Sequence, residues 1–311
     1  MIDRDNLDRA STFFEEKYRD GNVSLLENQA YLPLAFLTDP ELATVDFDTT
    51  ADPFQLQNKL FTAATGAEKN VWCQIPDESF TIVAENAAII EQNKNGNCKY
   101  EVFEGNGTII YRFVANQDGF LCLHLNLSRY NKYSVSVNGE KQYEESVGMS
   151  AFMIDVPQMI AVDDVKAGDV VDVKIYCQKG EKNSMTVVAS ILNLDVFWQG
   201  YNVLNSSTLE LTTFENTFVE GIINCNRDGL LYASIPQDGN WIVHVDGKSA
   251  DVHLIGNCMI GVELEEGSHT VSFTYRNPAF SLGWKISLAC TIVFILLAWM
   301  FYKATDSRFK T

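Results

Sequence analysis

From Ser79 onward the hydrophobic positions recur at every second residue. The stretches "FTIVAENAAII", "TIIYRFVAN", "GFLCLHLNL", "YSVSVNG" and "DVVDVKIYC" alternate or run apolar, with turn residues between them. A period of two belongs to a half-buried strand, and short strands at this spacing predict a sandwich or barrel. A second set follows: "TLELTTF", "VEGIINCN", "GLLYASI", "WIVHVDG", "MIGVEL" and "HTVSFTY". Upstream the pattern changes. "DPFQLQNKLFTAATG" has near-helical apolar spacing, with Asp52 placed to cap it, Pro53 in its first turn and Gly66 at its end. A short helix is expected over Leu7–Tyr18. "ENQAYLPLAFLTDPEL", interrupted by Pro33 and Pro40, reads as extended or strand-like.

The two strand sets repeat one another. "KYSVSVNGE" from Lys132 and "NWIVHVDGK" from Asn240 align at an offset of 108 residues, so that Tyr133 answers to Trp241 and Asn138-Gly139 to Asp246-Gly247. Asp118-Gly119 matches Asp228-Gly229 at 110, and "GDVVDVKIY" matches "GSHTVSFTY" at 99. Drifting offsets place insertions in loops, where they are tolerated. Both Xaa-Gly pairs are expected to be two-residue hairpin turns, whose central positions need φ > 0. Alternation sends Leu121, Leu123, Leu125 and Leu127 to one face with Leu231, Ala233 and Ile235, and Phe120, Cys122 and His124 to the other.

The closing stretch "ISLACTIVFILLAWMFY", Ile286–Tyr302, carries no charge. With Ser281–Lys285 it exceeds ~30 Å as a helix, enough to cross a bilayer. Trp284 and Lys285 at one edge, and Trp299, Tyr302 and Lys303 at the other, are expected interfacial anchors. The fold class expected is mainly β: two tandem antiparallel, jelly-roll-like sandwich modules, a short helical N-terminal segment and one C-terminal transmembrane helix. Boundaries follow at 1–78 for an extended and helical segment packing on the first sandwich, 79–195 and 196–278 for the modules, 281–303 for the span and 304–311 for a cytoplasmic tail.

Net charge is −18. A polyanion repels nucleic acid, which is excluded as a partner, whereas the bilayer is an expected one. The residues before the span hold all but four of the 23 basic and all but one of the 41 acidic side chains. A large acidic β module beside a membrane is expected outside the cell, and Lys303, Arg308 and Lys310 after the span, against Arg276 and Lys285 before it, lean toward a cytoplasmic C-terminus. The first residues lack the apolar core of a signal peptide. The module is therefore expected either to stay cytoplasmic or to be the tail of a longer multi-spanning protein.

Chemistry is sparse. The seven cysteines form no C-x-x-C and read mostly as small buried side chains. None of the four histidines has a ligand partner at i+2 or i+4; His244 and His253 could meet across a hairpin, with a solvated strand face as the plainer reading. No P-loop, G-x-G-x-x-G or G-x-S-x-G occurs, and no catalytic residue, metal site or cofactor is expected. "VDD" at Val162–Asp164 and "LEEG" at Leu264–Gly267 read as turns. Trp241 and Tyr133 are the candidate carbohydrate-binding residues. An aromatic on a sandwich strand is either an exposed platform for a sugar ring or a plug between the sheets.

Several strings together resemble the C-terminal portion of the bacterial YfhO membrane-protein family. They are "ENQAYLPLAF", "DPFQLQNKLFTAATG", "DGLLYASIPQDGNWIVHVDGK" and "GSHTVSFTYRNPAFSLGWKISL", followed by the span. The likeness covers about Asn28–Tyr302. It implies relatedness to polytopic, GT-C-like, lipid-linked sugar transferases implicated in glycosylating cell-envelope polymers such as lipoteichoic acid. Their catalytic acidic loop lies among N-terminal helices, so no catalytic role transfers to any position here. The expectation is thus a non-catalytic extracytoplasmic region at the cell membrane, partnered by polytopic helices and a cell-envelope glycopolymer. The alternative is a free-standing, membrane-anchored carbohydrate-binding or adhesion module.

Overall fold

The computed structural model describes residues 13–21, 23–46, 52–127, 131–146 and 158–308. Its early strands are β1 (Phe14–Asp20), β2 (Val23–Asn28), β3 (Ala35–Thr38) and β4 (Trp72–Gln74). The next group is β5 (Phe80–Glu85), β6 (Ala88–Gln92), β7 (Asn97–Glu101), β8 (Gly107–Val114) and β9 (Gly119–Asn126). Then come β10 (Lys132–Val137), β11 (Glu140–Ser146), β12 (Gln158–Val165), β13 (Val170–Cys177) and β14 (Lys182–Leu192). The last set is β15 (Glu210–Phe214), β16 (Phe218–Cys225), β17 (Gly229–Pro236), β18 (Trp241–Val245), β19 (Lys248–Ser249), β20 (His253–Ile255), β21 (Met259–Leu264) and β22 (Gly267–Tyr275). Three α-helices accompany them: α1 (Pro53–Thr65), α2 (Leu194–Asn205) and α3 (Pro278–Arg308).

Two compact units emerge. One takes the described residues up to Leu32 and Thr38–Ser206; the other takes Pro33–Leu37 and the residues from Ser207 onward. In the first, a sheet in the order β11-β10-β13-β8-β5 faces a sheet in the order β12-β9-β14-β7-β6. Leu121, Leu123 and Leu125 of β9 lie between them with Tyr111, Tyr133, Val173 and Val187, as their alternation requires. The opposite face of β9 is covered as well. Phe54 of α1 packs on Cys122 and Val188 there, beside Phe120 and Trp72. The Asp52 side chain caps α1 by accepting from Phe54 N at 2.9 Å, and Gly66 ends it at φ +71°. Asn58 of α1 bonds both backbone groups of Trp72, at 2.7 and 2.9 Å, which ties β4 to the helix.

In the second unit the order β19-β18-β22-β16-β15 reproduces the first unit's β11-β10-β13-β8-β5 strand for strand. In the facing sheet β21 and β17 stand where β12 and β9 stand in the first. The counterpart of β14, the neighbour of β9, is β3, which neighbours β17. The duplication is therefore real, but the second copy takes one strand from far upstream. The four residues of β3 are all buried. Its other edge is held by Leu37 N to Ser207 O (2.8 Å) and Leu209 N to Ala35 O (2.9 Å). The segment 207–209 thus does for β3 what β4 does for β14. Ala35 and Leu37 join Leu231, Ala233, Val262, Val271 and Phe273 in one core.

Four local expectations are corrected. Phe14–Tyr18 belongs to strand β1, not a helix; it pairs with β2 through Gly21 at φ +56°, and Lys17 bridges Glu15 and Glu27. The remainder of that expected helix, 7–12, lies outside the described residues. Val162–Asp164 is part of β12, with a bulge between Ala161 and Asp163 that permits two adjacent acids in a strand. The segment assigned to the 195/196 module boundary is α2, capped by Asn193. Its Gly200 lies against Phe61, and a Cβ there would stand 2.1 Å from the ring. The first unit accordingly runs to Ser206, and the upstream stretch is shared between both units rather than packing on the first alone.

Because β3 completes the second core, Leu37→Ala is expected to cost about 2–5 kcal/mol. Amide exchange should accelerate in β17 and β21 while β8 and β13 keep their protection. Equal loss of protection in both units would contradict the assignment of β3.

Candidate functional site

The candidate Trp241 lies at the end of the second sandwich from which the terminal helix leaves. Trp241 opens β18 and pairs with Tyr275, the last residue of β22. Their rings meet edge to face at 5.1 Å. Before Trp241 the chain makes a tight turn through Gly239 at φ +88°. Gln237 holds this turn: its Oε1 accepts from Gly239 N (3.0 Å) and Trp241 N (3.2 Å), and its Nε2 donates to Trp241 O (3.0 Å). Tyr275 Oη donates to Asp238 Oδ2 at 2.9 Å, and Asn240 Nδ2 donates to the same oxygen at 3.0 Å. These bonds, Asn240 foremost, hold the Asp238 carboxyl below its usual range. The Trp241 ring is half-buried, and its Nε1 makes no hydrogen bond to another described residue.

Tyr133, the other aromatic candidate, is wholly buried and stacks on Tyr143 at 5.9 Å. It offers no face to a ligand, which removes it as a carbohydrate platform. Tyr133 is covered by Tyr143 from the neighbouring strand, whereas Trp241 is partly buried against the second core and meets Tyr275, the last residue of β22, at the rim. His244 and His253 do not meet, because β18 and β20 belong to different sheets; His253 pairs instead with Glu263 at 3.2 Å. Cys122 and Cys177 are buried, and their thiols are pushed up to about 12, mainly by that burial, so neither is a ready thiolate. Among the described residues no group of three or more His, Cys, Asp or Glu is placed to hold a metal ion.

The opposite end of each sandwich carries the matched turns. Asn138-Gly139 and Asp246-Gly247 all have positive φ, as two-residue hairpins require. Asn138 Oδ1 accepts from Val170 N at 2.9 Å, and Asp246 Oδ1 from Thr270 N at 2.9 Å. The second contact inverts its chemistry between copies. Asn138 Nδ2 donates to Asp169 Oδ1 (2.9 Å), whereas Asp246 Oδ2 accepts from His269 Nδ1 (2.8 Å). His269 Nε2 faces Glu265 O at 3.0 Å. A neutral imidazole has one N–H, so serving both acceptors needs the protonated ring. Asp246 first, with Glu265 adding, raises the His269 pKa; His269 first, then Thr270 N, lowers that of Asp246. With both ring nitrogens engaged, His269 is a structural clasp and not a free base.

Helix α3 follows β22 after Arg276 and Asn277 alone. Its stretch Pro278–Tyr302 is long and apolar enough to cross a membrane, and none of its most apolar window is buried in the protein. Trp284, Lys285, Trp299 and Tyr302, the expected interfacial anchors, all lie on it, and Lys303 continues the same helix.

Residues 4–287 match the family described as bacterial membrane protein YfhO. This chain belongs to the YfhO family. Among curated proteins, none matches this YfhO chain. Solved structures similar to it include a family 35 carbohydrate-binding module from Clostridium thermocellum. That module is 14% identical with a TM-score of 0.27, over 39% of this chain and 98% of the module. A family 32 module from Clostridium perfringens, solved with galactose, is 11% identical with a TM-score of 0.27, over 40% and 100%. A Paenibacillus cycloisomaltooligosaccharide glucanotransferase is 9% identical with a TM-score of 0.24, over 70% of this chain and 49% of that enzyme. Scores this low say nothing of function.

The His269 clasp has a pH signature. The raised pKa of His269 gives stabilisation that is complete below its unfolded value of ~6.5 and is lost as pH rises through the folded value. The lowered pKa of Asp246 gives stabilisation present above ~3.9 and lost as pH falls through its folded value. The Tm difference between wild type and His269→Gln should therefore be greatest between about pH 4 and 6.5 and shrink on either side. A difference independent of pH would show that the pair is not ionic.

Proposed function

We propose that this YfhO chain forms a non-catalytic, extracytoplasmic region of a membrane protein that glycosylates cell-envelope polymers. In this reading the β units hold or orient the acceptor close to the bilayer, and membrane-spanning helices elsewhere carry sugar transfer from a lipid-linked donor. The observation that supports it most is the placement of Trp241. An amphipathic ring with an unpaired Nε1 sits on a rim separated from the apolar helix by two residues. Such a ring can stack on a sugar face and donate one hydrogen bond. The chemistry-bearing side chains nearest to Trp241, those of Asp238, Asn240 and Tyr275, are engaged with one another. Those contacts suit a binding surface better than an acid–base pair. The acidic bulk outside and the basic residues after the span support an outward-facing body with a cytoplasmic C-terminus.

The reading is tested by assaying lipid-linked sugar transfer in membranes that contain this chain with and without the polytopic YfhO portion. Transfer should require the polytopic portion, and activity from this chain alone would overturn the proposal.

The second reading, a free-standing membrane-anchored carbohydrate-binding or adhesion module, also rests on Trp241, which is partly buried against the second core and keeps part of its surface open. It predicts that soluble envelope glycopolymer alone quenches indole fluorescence of the full chain, and that Trp241→Ala lowers apparent affinity at least tenfold. Under the first reading, binding should appear only when the polytopic helices are present.

A further inference from the structure

Both rims of the second sandwich carry charge, through Asn226–Gly229, Asp246–Lys248 and Glu265–Gly267 at the far one and Glu215 and Asp238 at the near one, and the near rim differs in its exposed aromatic edge. At the near rim Phe214 is 71% exposed and stands at the turn into β16. Glu215 N bonds Phe218 O at 2.8 Å to close that turn, and Tyr275 N bonds Thr217 O at 2.8 Å, which fixes the turn beside the end of β22. Phe214, Trp241 and Tyr275 thus share the edge from which α3 departs.

The connection to α3 leaves little freedom. Arg276 N bonds Asn240 O at 2.9 Å, which extends the β18–β22 pairing by one residue. Asn277 Oδ1 caps the helix by accepting from Phe280 N at 3.0 Å, and Asn277 O accepts from Ser281 N at 3.1 Å. Every residue between strand and helix is therefore tied down. From Phe280 to Tyr302 the helix rises ~33 Å, close to the ~30 Å thickness of a hydrocarbon core. With that stretch in the bilayer, Pro278 stands ~3 Å outside the core, and Tyr275 no more than ~10 Å further along an extended chain. That upper limit of ~13 Å exceeds the ~5–7 Å depth of the polar headgroup layer, so the near rim lies in the layer when Arg276 and Asn277 run along the membrane plane rather than straight out of it. Lys285 lies beneath this level and reaches outward by snorkelling.

We propose that the near rim of the second sandwich is a lipid-contact surface: Phe214 inserts among the phospholipid headgroups, with Trp241 and Tyr275 at the interface beside it, so that the sandwich rests on the bilayer. Aromatic side chains favour that layer, where one end is apolar and the other wet. The partner is the bilayer itself, because the chain that forms this rim continues into the span. The inference is independent of the sugar-transfer reading, since it needs only the anchored chain.

The test uses the full chain reconstituted in vesicles of phosphatidylethanolamine and phosphatidylglycerol. The photocrosslinking amino acid p-benzoylphenylalanine is placed at one of three positions: Phe214, Lys248 on the far rim, or Phe280 in the span. After irradiation, intact-mass measurement should find phospholipid adducts at Phe214 and Phe280, with at least tenfold less at Lys248. Adducts at Phe280 with none at Phe214, or crosslinks from Phe214 to protein alone, would overturn the proposal. Because Phe214 is largely exposed, the substitution leaves the core in place, and unchanged circular dichroism confirms folding.

Discussion

A sandwich closes only if every strand position in both its sheets is filled, because an open slot exposes apolar side chains and unpaired backbone together. In the second unit that requirement meets a second one. The chain leaving β22 enters α3, so it cannot return to occupy the slot that β14 fills in the first unit. The slot is filled from upstream by β3, and the rest of the architecture follows. The polypeptide must visit the second unit before building the first, and neither unit is continuous in sequence.

Much of this was legible in the residues. Period-two alternation found the strands of both cores, the Asn-Gly and Asp-Gly pairs found the hairpins, and Asp52 with Gly66 bracketed α1. The alternation could not report what covers a strand. Phe120, Cys122 and His124 read as an outer face, yet α1 lies over that side, and this contact is invisible to local periodicity. The destination of β3 was hidden for the same reason. "LAFLT" is plainly apolar, but its partners lie far along the chain. Helix α2 spans the 195/196 boundary that the strand repeat alone suggested; its signals in "LDVFWQGYNVLN" were the Asn193 cap and the dense aromatics.

The two candidate aromatics show how far burial separates equivalent positions. Tyr133 and Trp241 occupy equivalent places, each on the face shared with two valines, and sequence alone could not separate them. Tyr133 is wholly buried and stacked on Tyr143, while Trp241 is only partly buried against its core and meets Tyr275 edge to face, so one ring is a core plug and the other reaches the rim. The turns diverge similarly. Both copies keep the backbone contact from the turn side chain, while its second partner changed from a carboxylate to an imidazole. The scaffold was retained and the ionisable groups on it drifted.

The route of β3 also sets an order of events during synthesis. Ala35 and Leu37 face the core from β3, yet their sheet partner β17 is synthesised only after the whole first sandwich. Long-range pairing of this kind forms slowly. The segment must wait for its partner strand, and the last strand of its unit is followed after two residues by the apolar helix α3. Completion of the second sandwich and synthesis of α3 thereby fall in one late interval, and the strand of that sandwich made before the others is the piece whose use must be deferred.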